Sequence, residues 1–195
     1  MITGLASGDV LVKPFCEGIE ETVHLNVYTT PHGRNRIIDI IGDLGGFAFE
    51  DYDSECENSF ANENGDRYIT CLNADLTLSD PEYIVATPRG NWTGKTKGGL
   101  ILSKDCGSTW ERLSMPRGLS EFIDQKLDNI EKPNVDSGWT AISADGKRIM
   151  WAVAGGRGFS NKAVCYTDDE GKTWQKSIFM DSNGNSADEH YVKIF

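Results

Sequence analysis

The chain has 195 residues, 38% of them hydrophobic and 25% charged, which supplies enough apolar material for a sizeable core and too much for a disordered segment. Its formal net charge of −11 at pH 7 excludes the basic face that nucleic acid or an anionic membrane surface demands. It has no run of about 18 apolar residues, so no membrane-spanning helix is expected, and neither nucleic acid nor membrane is an expected partner.

The opening stretch, Met1 to Asp9, lacks the charged and apolar regions of a leader peptide and starts as if in mid-domain. Short β-rich runs broken by turn residues then follow at 23–29, 36–41, 46–49, 68–73, 83–87, 99–102, 110–113, 140–143, 148–153, 163–166 and 174–179. Eleven such runs are nearly three four-stranded blades of a repeat fold. The stretch 51–66, rich in Asn, Asp and Glu, is expected to be a solvated loop. Between the runs ending at 113 and starting at 140, residues 115–138 form an insertion between blades, which includes an amphipathic pattern of about two helical turns at 119–127. The final residues, 191–195, look like the beginning of another strand.

The five cysteines, Cys16, Cys56, Cys71, Cys106 and Cys165, show no CxxC spacing and have only His24, His32 and His190 for company. No metal site and no cofactor is expected from this set. Cys56 and Cys71 bracket the polar loop and are the pair able to bridge in an oxidising compartment.

Two segments repeat one another, Ser103-Lys104-Asp105-Cys106-Gly107-Ser108-Thr109-Trp110 and Thr167-Asp168-Asp169-Glu170-Gly171-Lys172-Thr173-Trp174. Each follows one apolar run and leads into another, which makes it the turn of a β-hairpin. Asp105 and Asp169 suit acceptance of backbone amide protons further on, Gly107 and Gly171 suit positive φ, and the hydroxyls of Thr109 and Thr173 suit closure of the loop. Trp110 and Trp174 then start the outgoing strands with a large apolar face turned inward. The pattern resembles the Asp-box, or BNR repeat, of sialidases, sortilin-type receptors and several β-propeller glycosidases. These eight residues are therefore expected to be structural, not catalytic or calcium-binding.

The whole of 1–195 is read as one all-β segment, a partial β-propeller of about three four-stranded blades with Asp-box hairpins. A ring needs more blades than three to close, which points to a fragment of a larger propeller.

A further stretch is suited to chemistry: Gly42-Asp43-Leu44-Gly45-Gly46-Phe47 ends an apolar strand with an acid and a glycine pair. Glycines beside a carboxylate leave room for a bulky ligand. This stretch is similar to the Gly-Asp-Ile/Val-Gly-Gly-Phe segment of glycoside hydrolase family 74, the xyloglucanases and reducing-end-specific oligoxyloglucan cellobiohydrolases. The resemblance extends to Gly4-Leu5-Ala6-Ser7-Gly8, to 69–75 followed by Asp80-Pro81-Glu82-Tyr83-Ile84-Val85-Ala86, to the first Asp-box, to 140–146 with Ile149-Met150-Trp151, and to the second Asp-box, all in family order.

The resemblance implies a secreted enzyme of two seven-bladed propellers facing each other across a cleft, which cleaves the β-1,4-glucan backbone of xyloglucan with inversion. An inverting glycosidase sets one carboxyl to protonate the leaving oxygen and another, about 6.5–9.5 Å from it, to activate water. Asp43 matches the catalytic aspartate of the C-terminal propeller, assigned here as general acid. The base lies outside this chain, which has no second Asp-x-Gly-Gly; Asp9, Asp39 and Asp51 carry no such motif. The other propeller of the parent chain and the polysaccharide are thus the implied partners, and the segment alone is expected to be inactive. The secretion signal is expected outside the segment.

Substrate contacts are expected from Gly45 and Gly46, from Phe49, which stands where relatives carry a basic or His residue, and from Trp92 in the polar loop Pro88 to Lys95. Asn91-Trp92-Thr93 is also a glycosylation sequon. Two other readings of an Asp-box propeller are a non-catalytic module that binds protein or glycan, as in sortilin-like receptors, and a sialidase-like enzyme. The sialidase needs an arginine triad and a Tyr nucleophile, and the scattered arginines here carry no such signature.

Overall fold

The computed structural model describes residues 22–56, 58–114, 138–153 and 164–186, together with the backbone of two short strands, β1 (Ile2–Thr3) and β2 (Leu11–Val12), which pair with each other. Three four-stranded antiparallel sheets make up the rest. The first contains β3 (His24–Thr29), β4 (Ile37–Ile41), β5 (Gly45–Phe49) and β6 (Asn58–Ser59). The second contains β7 (Cys71–Leu76), β8 (Ile84–Pro88), β9 (Ile101–Ser103) and β10 (Glu111–Arg112), and the third β11 (Trp139–Ile142), β12 (Ile149–Ala152), β13 (Val164–Thr167) and β14 (Gln175–Lys176). Each sheet is a simple up-and-down meander, so each is one blade of the partial β-propeller.

Blade 2 is buried on both faces, as a sheet must be when it has a neighbour on either side. Ile84 and Ala86 of β8 join Ile38, Ile40, Phe60 and Trp110 in the core shared with blade 1. Val85, the residue between them, joins Leu102, Ile142, Ile149 and Trp151 in the core shared with blade 3. The period of two that alternates side chains across a strand thus sends one set into each core.

The inner strands are tied by polar side chains. Asn73 Oδ1 accepts the amide proton of Thr140 at 2.7 Å, and Asp75 Oδ2 that of Ile142 at 2.8 Å, so β7 carries acceptors for the backbone of β11. Burial pushes the Asp75 carboxyl above its ordinary range, against the lowering effect of the Ile142 and Leu76 amides.

Consecutive hairpins of a meander turn at opposite ends of the blade. At one end lie the β4–β5 turn, the β6–β7 connection and the β8–β9 loop, joined by Arg89 N–H to the Thr70 carbonyl and Asn91 Nδ2 to the Arg67 carbonyl. At the other lie the β7–β8, β9–β10, β11–β12 and β13–β14 turns, joined by Ser79 N–H to the Ala144 carbonyl and by Lys104 to Glu170 at 2.8 Å.

The β9–β10 and β13–β14 turns have the same internal bonding. The Asp105 carboxylate accepts from the Thr109 amide at 2.8 Å, the Thr109 hydroxyl at 2.6 Å and the Ser103 hydroxyl at 2.7 Å, and the Ser103 oxygen in turn accepts from the Gly107 amide at 2.8 Å. Asp169 repeats this with Thr173 and Thr167, and Thr167 with Gly171. Gly107 and Gly171 take φ of +82° and +80°. The Thr173 hydroxyl, followed by the Thr173 amide and the Thr167 hydroxyl, holds the Asp169 carboxyl at about 2. A carboxyl depressed in the folded state stabilises above its unfolded value near 3.9 and loses that contribution as pH falls toward the folded value. Wild type should therefore exceed Asp169→Asn in urea midpoint by a steady margin at neutral pH, and the margin should shrink between about pH 4 and pH 2. A margin that does not change with pH would overturn this.

Three sequence expectations need correction. The fourth strand was expected at 68–73, but β7 runs three residues later, because Tyr68 to Thr70 spend their backbone on neighbouring loops: Tyr68 N–H donates to Phe60 and Ile69 N–H to Arg89. The polar stretch 51–66 contains β6 and the fully buried Phe60, so only part of it is a solvated loop. Cys56 and Cys71 are not bridged; Cys56 is exposed and Cys71 is buried as a free thiol against the Asn73 carbonyl. The expected insertion, apart from Gly138, the expected strand at 191–195 and Cys16 lie outside the described residues.

Candidate functional site: the Asp43 turn

Ile41 pairs with Gly45, which leaves Gly42, Asp43 and Leu44 as a three-residue loop between β4 and β5. Asp43 takes φ of +62°, a left-handed conformation that Asp tolerates better than most residues, and its side chain is exposed. Leu44 beside it is 41% exposed.

The turn is fastened from blade 2. The Thr70 hydroxyl oxygen accepts the Asp43 amide proton at 3.0 Å, the Gly45 amide donates to the Ile69 carbonyl, and Gly45 forms an isolated parallel bridge with Thr70. Thr70→Val keeps the shape and removes the acceptor, which should cost about 1 kcal/mol of stability in a denaturant titration. An unchanged midpoint would show that the bond holds nothing.

Gly45 and Gly46 are both buried. A Cβ at Gly45 would lie 2.8 Å from the Tyr68 carbonyl oxygen, and one at Gly46 2.8 Å from the Asp39 carbonyl oxygen and 2.9 Å from the Phe60 ring. The space a side chain would need is filled by protein: Gly45 lets the turn sit against the segment that leads into blade 2, and Gly46 lets β5 pack against Asp39 and Phe60 of blade 1.

Beside the turn, the first strand contributes a hydrogen-bonded chain that the sequence did not single out. His24, opposite Ile41, directs Nδ1 to the Asp39 carboxylate at 2.8 Å, and its Nε2 lies 2.7 Å from the Thr22 hydroxyl. The Asp39 side chain is only 9% exposed, whereas that of His24 is 51% exposed. With Nδ1–H donated to Asp39, the neutral ring keeps Nε2 as an acceptor for Thr22. The available signal was the hairpin register, which brings 24 and 39 onto one face only once the β3–β4 connection at 30–36 and the register shift between His24 and Asn26 are fixed.

Trp92 is 81% exposed in the β8–β9 loop, the counterpart in blade 2 of the β4–β5 turn, and so lies at the same end as Asp43. Asn91 organises that loop: its Oδ1 accepts from the Lys95 amide, the Thr96 amide and the Thr93 hydroxyl, and its Nδ2 donates to the Arg67 carbonyl. Phe49 sits elsewhere. It pairs with Ile37 at the far end of β5, about 13 Å along the strand from Gly45, half-buried with its ring centroid 6.2 Å from that of Phe47. Trp110 is 5% exposed, and Trp174 is half-buried with its ring centroid 5.9 Å from that of the fully buried Trp151.

No protein-family model and no curated protein matches the chain. Among solved structures it is similar to the GH74 xyloglucanase from Xanthomonas campestris, with a TM-score of 0.59 and 23% identity over 84% of this chain and 20% of that one. It is also similar to the GH74 enzyme of Niastella koreensis, with a TM-score of 0.55 and 20% identity over 82% of this chain and 18% of that one. The chain spans about a fifth of the length of these two enzymes. Its three blades have the all-β propeller fold of those GH74 structures.

Proposed function

We propose that this chain is a segment of a secreted glycoside hydrolase of the GH74 type, one that cleaves the β-1,4-glucan backbone of xyloglucan with inversion. Asp43 acts as the general acid. The observation that carries this is a carboxylate exposed at the tip of a turn fastened by Thr70, within Gly42-Asp43-Leu44-Gly45-Gly46-Phe47, in a fold shared with GH74 enzymes.

The chemistry asks that the acid meet the glycosidic oxygen from one side while a base on the far side of the sugar ring activates water. An exposed turn held by a neighbouring blade suits the first role, because the backbone that carries the carboxyl is fixed in place while the carboxyl itself reaches solvent. The base comes from the other propeller of the parent chain, so the segment alone is inactive. Gly45 and Gly46 serve by shaping the turn, Trp92 offers an exposed ring for stacking on a sugar face, and His24 offers a polar contact next to the acid. The two repeated turns are Asp-boxes with a structural role, at the opposite end from the chemistry. In the parent protein, Asp43→Asn should slow release of oligosaccharides from xyloglucan by at least about 10²-fold; release near the wild-type rate would overturn the assignment.

A further inference from the structure

Tyr68 belongs to the core shared by blades 1 and 2 and is 2% exposed. A phenylalanine would fill the same space, so the hydroxyl adds nothing to the packing. Among the described residues no group hydrogen-bonds to that hydroxyl. The side-chain polar atoms sealed from solvent without a partner are, among the described residues, Asn35 Oδ1 and Trp110 Nε1. The Tyr68 hydroxyl also lacks a partner but is not one of these sealed atoms, so it opens into the hollow that Tyr68 lines.

That hollow has a volume of about 570 Å³ and lies between the small hairpin closed by the Ala61–Arg67 bridge, the β8–β9 loop and β10. Lys95, Lys97 and Arg112 stand in its wall against Glu63 and Glu111. In a chain of net charge −11, a wall in which cations outnumber acids runs against the general balance. Lys95 is 3.5 Å from the Asp66 carboxylate, a loose pair, and Lys97 has no carboxylate partner among the described residues. Arg112 is half-buried, with Nε donating to the Gly98 carbonyl at 3.0 Å.

Burial pushes the Tyr68 phenol up to about 12; of the two charges that act on it, Arg112, which lowers the value, outweighs Glu63, which raises it. The phenol therefore keeps its proton and stands in a field set first by a cation. Ammonium and guanidinium groups donate and cannot accept, so with the phenol proton they make a donor set for an oxyanion. Repulsion from Glu63 and Glu111, both exposed, grows with the charge of the ligand, which favours a monocarboxylate over a dianion such as sulfate. The volume leaves room for a ring that carries the carboxylate.

We propose that this hollow binds a ring-sized monocarboxylate, one oxygen of which accepts the Tyr68 hydroxyl proton while Lys97 and Arg112 face its charge. Asp43 is not in the lining, so the site is separate from that turn and does not depend on the reading of that residue.

The test uses the full chain labelled with ¹⁵N and with ¹³C in its six tyrosine rings, titrated with sodium glucuronate at constant ionic strength. The Tyr68 ring signal is identified by its loss in Tyr68→Phe. It should move with a dissociation constant of about 0.1–10 mM, and more weakly with acetate, which carries the same group without the ring. Glucose, the neutral sugar, should leave it still. The amide of Gly94, in the wall of the hollow, reads affinity in the variants. Tyr68→Phe, which removes only the hydroxyl, should weaken glucuronate binding about fivefold or more, and Lys97→Ala, at an exposed position, about threefold or more. The shift should persist in Asp43→Asn. A Tyr68 signal that stays still with both carboxylates, or that moves equally with glucose, would overturn the proposal. So would wild-type affinity in Tyr68→Phe or in Lys97→Ala.

Discussion

Asp43→Asn in the parent protein should lower the rate on xyloglucan about 10²–10⁴-fold, the range expected for loss of a general acid. The substitution is close to isosteric, and the Asp43 backbone bond to Thr70 survives it, so the turn keeps its shape. In the proposed role, what is lost is the proton delivered to the departing glycosidic oxygen. A leaving group that departs readily as an anion needs no such proton, so an aryl glycoside with an acidic phenol should retain far more activity than the polysaccharide. That contrast separates an acid from a base, because loss of the base would slow both substrates alike. The measurement is kcat for the two substrates in wild type and variant; equal losses would assign Asp43 another role.

Gly45→Ala should be the most damaging single-methyl change in the hairpin. Gly45 sits at φ of +80°, and its added Cβ would come within 2.8 Å of the Tyr68 carbonyl oxygen and 3.2 Å of the Tyr68 carbonyl carbon. Backbone cannot swing aside as a side-chain tip can. The left-handed conformation alone costs an alanine about 1–2 kcal/mol, and the overpacking adds a similar amount or more, for a total of about 3–4 kcal/mol. Gly65 gives the control: its φ is +78°, and a Cβ there would meet nothing within 4 Å. Gly65→Ala should therefore lose only the conformational part, about 1 kcal/mol. Urea midpoints of the two variants check this, and equal losses would mean that the contact with Tyr68 contributes nothing.

The sequence shows most strands because they alternate, and it shows the two repeated turns because their bonding is local. Asp105 reaches Thr109 and Ser103 within a few residues, so spacing alone encodes the geometry. β6 was hidden for the opposite reason: Asn58 and Ser59 pair with Ala48 and Phe47 through backbone, with no apolar pattern to advertise it. The polar Asn73-Ala74-Asp75 stretch continues β7 because its side chains serve the next blade, a contact 67 residues away that no window reveals. The Asp43 turn was legible as a turn. Its fastening to Thr70 was not, nor was the His24–Asp39 pair, since both need two elements placed together. The glycine pair was read as space for a ligand, whereas Tyr68 and Phe60 occupy that space.

The alternation of hairpin ends carries a consequence for how such a protein tolerates change. The β4–β5, β6–β7 and β8–β9 connections lie at one end, while the self-bonded turns around Asp105 and Asp169 lie at the other. Bonds between neighbouring elements are made at both ends, but those self-bonded turns are confined to the end away from Asp43 and Trp92. A randomised library confined to Trp92 would leave both the opposite turns and the Asn91 hydrogen bonds untouched, and so would sample new surfaces at little risk to folding. Change at the exposed Trp92 tip and persistence of the repeated turns are then separable traits in this chain, each with its own end of the molecule.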